Sequence, residues 1–180
     1  MKTFIHLFFK SMFLFLITTS LFSCNERLRT EESFLIDSLD GKETLADAKE
    51  VFLSGIDGDL KRWGINKSDV PTNETIAQTY TVPVGLSDSN FEKLFNSLGA
   101  DLDSLCLTQA QIKNFCKKNN NWLLSQRGVT FFLFKVENQF FVAIVSARSN
   151  GLLIDVRSFL ADDVWSFIFV DHIVVQQVNN

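Results

Sequence analysis

The sequence predicts an α+β domain, in which a helical N-terminal half packs on a C-terminal antiparallel meander of about four strands. Two observations support this fold class. Before Gly128 apolar residues recur at helical spacing, as in Leu45, Ala48, Val51 and Phe52. After Gly128 short apolar runs alternate with hairpin-length turns, which is typical of antiparallel strands. Helices followed by strands are typical of α+β domains.

Four helices are predicted in the first half from apolar spacing and end signals. Thr108-Gln-Ala-Gln111 has the pattern of a capping box, in which the threonine hydroxyl and the glutamine side chain accept from free backbone N–H groups. This box starts the fourth helix, with Ile112, Phe115 and Cys116 on its inner face. The other helices are expected over 44–53, around Leu60 and Trp63 before Gly64, and from Ser89 to Gly99. A short extended piece is expected at 80–82.

Four strands are predicted in the second half, over 129–136, 139–147, 152–157 and 167–175. The first two are apolar on both faces, whereas one face of an antiparallel sheet usually meets water. Either helices therefore cover both faces of the sheet, or one face awaits a partner. We favour cover within the chain.

Residues 1–23 are expected to be a signal peptide. Lys2 and Lys10 give a positive start, and the segment 12–22 forms an uncharged, mostly apolar core. This core is too short for a membrane-spanning helix, which needs about 20 apolar residues. Residues 24–32 are then expected to be a lipid anchor and tether, and residues 33–180 a single α+β domain.

The cleavage region, Leu21-Phe22-Ser23-Cys24, resembles the lipobox of bacterial lipoproteins. In that family an aliphatic residue lies three positions before an obligatory cysteine, and a small residue lies one before it; Phe22 is bulkier than usual. The resemblance implies a diacylglycerol on the Cys24 sulfur, cleavage before Cys24, and usually a further acyl chain on the new N-terminus. An ordinary secreted protein with an incidental cysteine is the alternative.

Two or more acyl chains would anchor the protein stably on the cell membrane or outer membrane. The domain would then face outside the cytoplasm. Asn25 stands where an aspartate often favours the inner membrane, so the outer membrane is preferred.

From Leu107 onward the chain also resembles a group of uncharacterised bacterial proteins. The resemblance ends near Gln176, where a proline is usual in that group, and it implies no activity. It implies that the helix-to-sheet half is one unit of architecture in that group. The matching stretches are Leu107-Thr108-Gln109, Gln111-Ile112, Trp122-Leu123, 130–134, 140–143, Val164-Trp165 and 173–175.

Charge excludes some partners. Removal of the segment 1–23 takes away two lysines, so the net charge falls from −4 to −6. An acidic chain without a basic stripe is a poor candidate for binding nucleic acid. No polybasic run is present either, so membrane association is expected to come from the lipid anchor alone.

Few residues are candidates for catalysis or metal binding. His172 is the sole histidine after the signal peptide and lies in an apolar strand, so a packing or edge role is expected and no catalytic one. One histidine with Cys106 and Cys116 is too few for a zinc site. These cysteines are expected not to pair, because the capping box starts a helix between them. No cofactor is predicted.

Other polar and aromatic clusters have structural interpretations that we favour. The acidic pairs Asp57-Gly58-Asp59 and Asp101-Leu102-Asp103 resemble calcium ligands but lack the rest of the loop, so turn and cap roles are preferred. The three tryptophans are expected to be core aromatics rather than a ligand platform; they are Trp63, Trp122 and Trp165.

The sequence therefore favours a non-enzymatic, lipid-anchored envelope domain that binds or scaffolds another envelope protein. The alternatives are an envelope hydrolase with paired carboxylates, an inhibitor of a secreted enzyme, or a small-ligand carrier. A pocket with two carboxylates about 5–9 Å apart would favour the hydrolase. An exposed apolar sheet surface would favour binding to a partner.

Overall fold

The computed structural model describes residues 28–82, 90–161 and 171–178. Its centre is a seven-stranded mixed sheet with the strand order β1-β3-β7-β4-β5-β6-β2. The strands are β1 (Arg29–Ile36), β2 (Gly55–Ile56), β3 (Thr75–Val82), β4 (Val129–Val136), β5 (Gln139–Arg148), β6 (Gly151–Ser158) and β7 (Asp171–Gln176). The helices are α1 (Asp59–Arg62), α2 (Phe91–Asn96), α3 (Leu102–Leu105), α4 (Gln109–Lys118) and α5 (Asn120–Ser125).

The predicted fold class is wrong, because the N-terminal half is not a helical layer. It contributes β1, β2 and β3 to the sheet, and its helices are short. The C-terminal strands are not a simple meander either. The β4, β5 and β6 strands form the predicted antiparallel series, but β7 lies between β3 and β4, antiparallel to the first and parallel to the second.

The first strand occupies a segment that was expected to be tether. Residues 29–32 belong to β1, whose side chains are almost all exposed because the strand lies at the sheet edge. An edge strand with polar residues on both faces has no hydrophobic alternation to reveal it. Thr79 fixes it to β3, since its hydroxyl accepts from the Glu32 N–H at 3.0 Å and donates to the Glu32 carbonyl at 3.1 Å.

The helix predicted over 44–53 is also wrong. Only a 3₁₀ turn at Leu45–Asp47 forms, followed by further turns up to Gly55. The apolar spacing is real, since Leu45, Val51 and Phe52 are buried. The backbone is held differently, because the Leu45 N–H donates to the side-chain oxygen of Gln109, which is distant in the sequence. Tertiary contacts have overridden the local pattern.

Other predicted helices are confirmed. Gly64 follows α1 with a φ of 68°, and Gly99 follows α2 with a φ of 70°. The capping box of α4 is complete, with the Thr108 hydroxyl accepting from the Gln111 N–H. Asn90 rather than Ser89 caps α2, and Ser89 lies outside the described residues.

Both faces of the central strands β7, β4 and β5 are covered within the chain, as we expected from the apolar runs. The first face carries Phe132, Ala143 and Val174 and packs against α4, α5 and the turns of residues 45–52. The second face carries Phe131, Ile144 and Ile173 and packs against α2 and α3.

Candidate functional site

Cys24, the predicted lipidation site, lies outside the described residues, as does Trp165. The described chain begins at Leu28, and β1 begins at the next residue, Arg29. Only four positions therefore separate Cys24 from the edge strand. A lipid on Cys24 would leave a short tether between the membrane and the sheet.

His172 is buried on the first face of a central strand and not at an edge. Its ring meets the Trp122 ring edge-on, with centroids 5.3 Å apart. Nε2 lies 3.6 Å from a Glu31 carboxylate oxygen, which is too long for a hydrogen bond, and no described residue bonds Nδ1. Burial lowers the pKa of His172, although Glu31 and Glu32 oppose this shift. The neutral ring is a packing residue.

The two cysteines lie on opposite sides of the sheet. Cys116 is fully buried in the core of the first face, whereas Cys106 packs against the core of the second. Both thiols are free. Burial raises the pKa of Cys106 to about 12 and raises that of Cys116 as well. Because the thiolate is the nucleophilic form, neither cysteine is suited to covalent catalysis.

In the acidic pairs, Asp57 has the predicted turn role, Asp101 makes no side-chain cap bond, and Asp59 and Asp103 form ion pairs instead. Asp59 pairs with Arg62, and Asp103 pairs with Lys135 at 2.5 Å. Asp57 accepts from the backbone N–H groups of Asp59 and Val156 at 3.0 and 3.2 Å. Within the described residues, no group of three or more His, Cys, Asp or Glu side chains is placed to hold a metal ion.

Asp57 and Asp155 are a pair of described carboxylates whose charges interact. Burial and then the charge of Asp57 raise the pKa of Asp155. Asp57 is occupied, however, by its two backbone N–H donors and by the Arg157 guanidinium at 3.4 Å. A carboxylate committed in this way is a poor general base.

The described tryptophans have separate surroundings. Trp122 packs between the rings of Phe34, Phe115 and His172 on the first face. Trp63 stacks on Phe141 at 6.3 Å and is 43% exposed. Trp122 is therefore a core residue, whereas Trp63 covers the β4–β5 hairpin. They do not share a ring contact.

A cleft of about 460 Å³ lies beside β2 and α1. Phe52, Leu53 and Ile56 supply its apolar wall, and Lys49 and Lys61 also line it. Lys61 is paired with Asp47 at 3.2 Å. This shape would suit a small amphiphile better than it suits hydrolysis, since the one carboxylate in its lining is Asp57.

The outer side of β1 is the most distinctive surface. No other described strand pairs with that side, so β1 ends the sheet. Leu35 and Ile76 are neighbours across β1 and β3, and they are 50% and 41% exposed. The two side chains lie on the second face, outside the core packed by α2 and α3. Sequence reasoning missed this site because it did not assign either strand in full.

The chain matches no protein-family model, no curated protein and no solved structure with significance. None of the helices formed by the described residues is long and apolar enough to cross a membrane.

Proposed function

We propose that the mature chain is a lipid-anchored protein of the bacterial cell envelope, whose domain binds another envelope protein. The lipobox-like sequence ending at Cys24 supports the anchor. The open edge of β1, with its exposed apolar pair Leu35 and Ile76, is the single observation that carries the binding role.

The chemistry of this edge favours a polypeptide partner. An edge strand offers a row of backbone N–H and C=O groups, which an extended segment can pair with, while side chains such as Leu35 and Ile76 give specificity. The first half of β1 is less suited to pairing, because it carries Arg29, Glu31 and Glu32 and a bulge before Ser33. Residues 33–36, the second half of β1, are therefore available for pairing with a partner.

The position of this half also suits a partner. Leu35 lies six positions along the strand from Arg29, which places it roughly 20 Å further from the anchor at about 3.4 Å per residue. The apolar pair would therefore lie further from the membrane than Arg29 does. The cleft beside β2 supports a small-ligand carrier as the second candidate function, because its lining is largely apolar and includes two lysines.

Charged substitutions at the edge test the binding role. We expect the double variant Leu35→Lys/Ile76→Lys to lose a cross-linked envelope partner that the wild-type protein retains in intact cells. The matched control is Val70→Lys/Leu124→Lys, which alters two other exposed apolar residues, 73% and 39% exposed. Equal recovery of the partner by wild type and the edge variant would refute this site, as would equal loss in both variants.

A further inference from the structure

We infer that one end of the sheet is a docking surface for anionic phospholipid, formed by Arg29, Arg127 and Arg148. This inference rests on the proposed lipid anchor and goes beyond it, because it assigns an orientation and a lipid preference to the domain. The three arginines are far apart in the sequence, so they form no basic run that would indicate this surface.

The strand pairing brings the three arginines to the same end. Across the sheet, a single row joins Arg29 to Thr81, Thr81 to His172, His172 to Thr130, and Thr130 to Val145. Arg127 lies three positions before Thr130, and Arg148 lies three positions after Val145. Since β4 and β5 are antiparallel, both arginines lie beyond this row in the same direction.

Distances along the sheet match the reach of the tether. Three positions along β5 place Arg148 roughly 10 Å beyond the row of Arg29, and Arg127 lies in the bend that leads into β4 on the same side. Arg29 is the fifth position after Cys24, and an extended chain of that length spans at most about 18 Å. The β1 strand begins at this end, at Arg29. A lipid on Cys24 would therefore hold the three side chains near the headgroups.

All three arginines are exposed and have no ion-pair partner among the described residues. Most other described cations have a carboxylate partner, as Lys118 does in Asp37. Arg148 interacts with Asp155 only at longer range, through its charge. Guanidinium groups left free in this way fit lipid phosphates, which they bind with paired hydrogen bonds.

The acidic residues near this end offset only part of its positive charge. Glu31 and Glu32 are exposed on β1, with the Glu31 carboxylate 3.6 Å from His172, whereas Asp171 is buried with its carboxylate accepting from the Val129 N–H at 2.7 Å. The mature chain is otherwise acidic, so an anionic bilayer would attract this end and repel the remainder.

A single acyl chain makes the preference measurable, because one chain gives only marginal, reversible membrane binding. The full mature chain, residues 24–180, is alkylated at Cys24 with one myristoyl-maleimide. Cys106 and Cys116 react poorly because burial raises both thiol pKa values. Partition is then measured into vesicles of phosphatidylcholine alone and of equal parts phosphatidylcholine and phosphatidylglycerol.

Each arginine near an anionic surface should strengthen binding about fivefold, so we expect the wild-type protein to prefer anionic vesicles about 100-fold at low salt. The variant Arg29→Gln/Arg127→Gln/Arg148→Gln should lose this preference. The control Lys42→Gln/Lys67→Gln/Lys135→Gln makes the same change in net charge and should keep it. High salt should abolish the preference.

A wild-type protein without preference, or an equal loss in both triple variants, would overturn the inference. Failure of the proposed anchor is detected separately, by fatty-acid labelling of the protein in cells. The vesicle assay attaches its own acyl chain and does not depend on that result.

Discussion

Phe132 shows at the scale of one residue how the sheet is held. It is fully buried in β4, and its ring meets that of Phe115 on α4 edge-on at 5.4 Å. We expect Phe132→Ala to lower the free energy of unfolding by about 3–5 kcal/mol, since a large buried ring leaves a cavity. Urea or thermal melts measure this. Leu160→Ala, at a side chain that is 76% exposed, is the control and should melt like the wild type.

His172 gives the domain a predictable response to acid. Burial lowers its pKa below the ordinary 6.5, so the unfolded chain takes up a proton more readily than the folded one. The folding stability that depends on the neutral ring is therefore complete above about pH 6.5 and declines as the pH falls from there towards the lower pKa of the folded state. We expect His172→Gln to lose less stability than the wild type as the pH falls from about 7 to about 5. Melts across that range measure this.

For His172, the quantity to compare is the slope of stability against pH, not the stability at any one pH. The variant also loses the contact with Trp122, so it should be less stable at every pH. Asp69 and Asp171 titrate with raised pKa values because they are buried, but both are present in wild type and variant alike. Identical slopes for the two proteins would show that His172 is not held neutral by the fold.

The sequence predicted a packing or edge role for His172 but not the neighbours of its ring. The structure places the ring against Trp122, in a central strand rather than at an edge. Trp122 lies in α5 and Glu31 in β1, both far from His172 along the chain, so no local pattern could place them beside it.

At the scale of elements, Gln109 links the N-terminal segment to α4, a role that the sequence did not predict. It is fully buried at the start of α4. Its side chain accepts from the Leu45 N–H and donates to the carbonyls of Ile65 and Lys67, at 2.8 and 2.9 Å. One glutamine therefore ties the irregular N-terminal segment to the helix.

We expect Gln109→Leu to destabilise the domain by about 1–3 kcal/mol for each buried backbone group that it leaves without a partner. Hydrogen exchange should show faster exchange at Leu45 before the sheet is affected. The control is Gln126→Leu, at a half-buried glutamine whose side-chain bonds stay local to α5. A variant as stable as the control would contradict this role for Gln109.

Elements with a strong local pattern were predicted well. The bounds of β4 match the prediction, and the capping box located α4, because both depend on neighbours in the sequence. The segment at residues 44–53 was predicted wrongly, since its apolar spacing is helical but its backbone bonds go to Gln109 and to local turns. The exposed β1 strand has no periodic pattern to detect.

At the scale of the whole molecule, the sheet joins the two ends of the chain. The last strand, β7, lies between β3 from the first half and β4 from the second. A sequence pattern indicates where strands lie but not the order in which they pair. The mixed sheet could therefore not be predicted from the sequence. This order also gathers Arg29, Arg127 and Arg148 at one end and leaves Leu35 and Ile76 towards the other.

Metabolic labelling with a fatty-acid analogue tests whether the domain is anchored through Cys24. We predict strong labelling of the wild-type protein and of Cys106→Ser, because Cys106 is a free thiol packed against the core. We predict no labelling of Cys24→Ser, which should remain as unprocessed precursor or appear as soluble material. Equal labelling of wild type and Cys24→Ser would show that Cys24 does not carry the lipid.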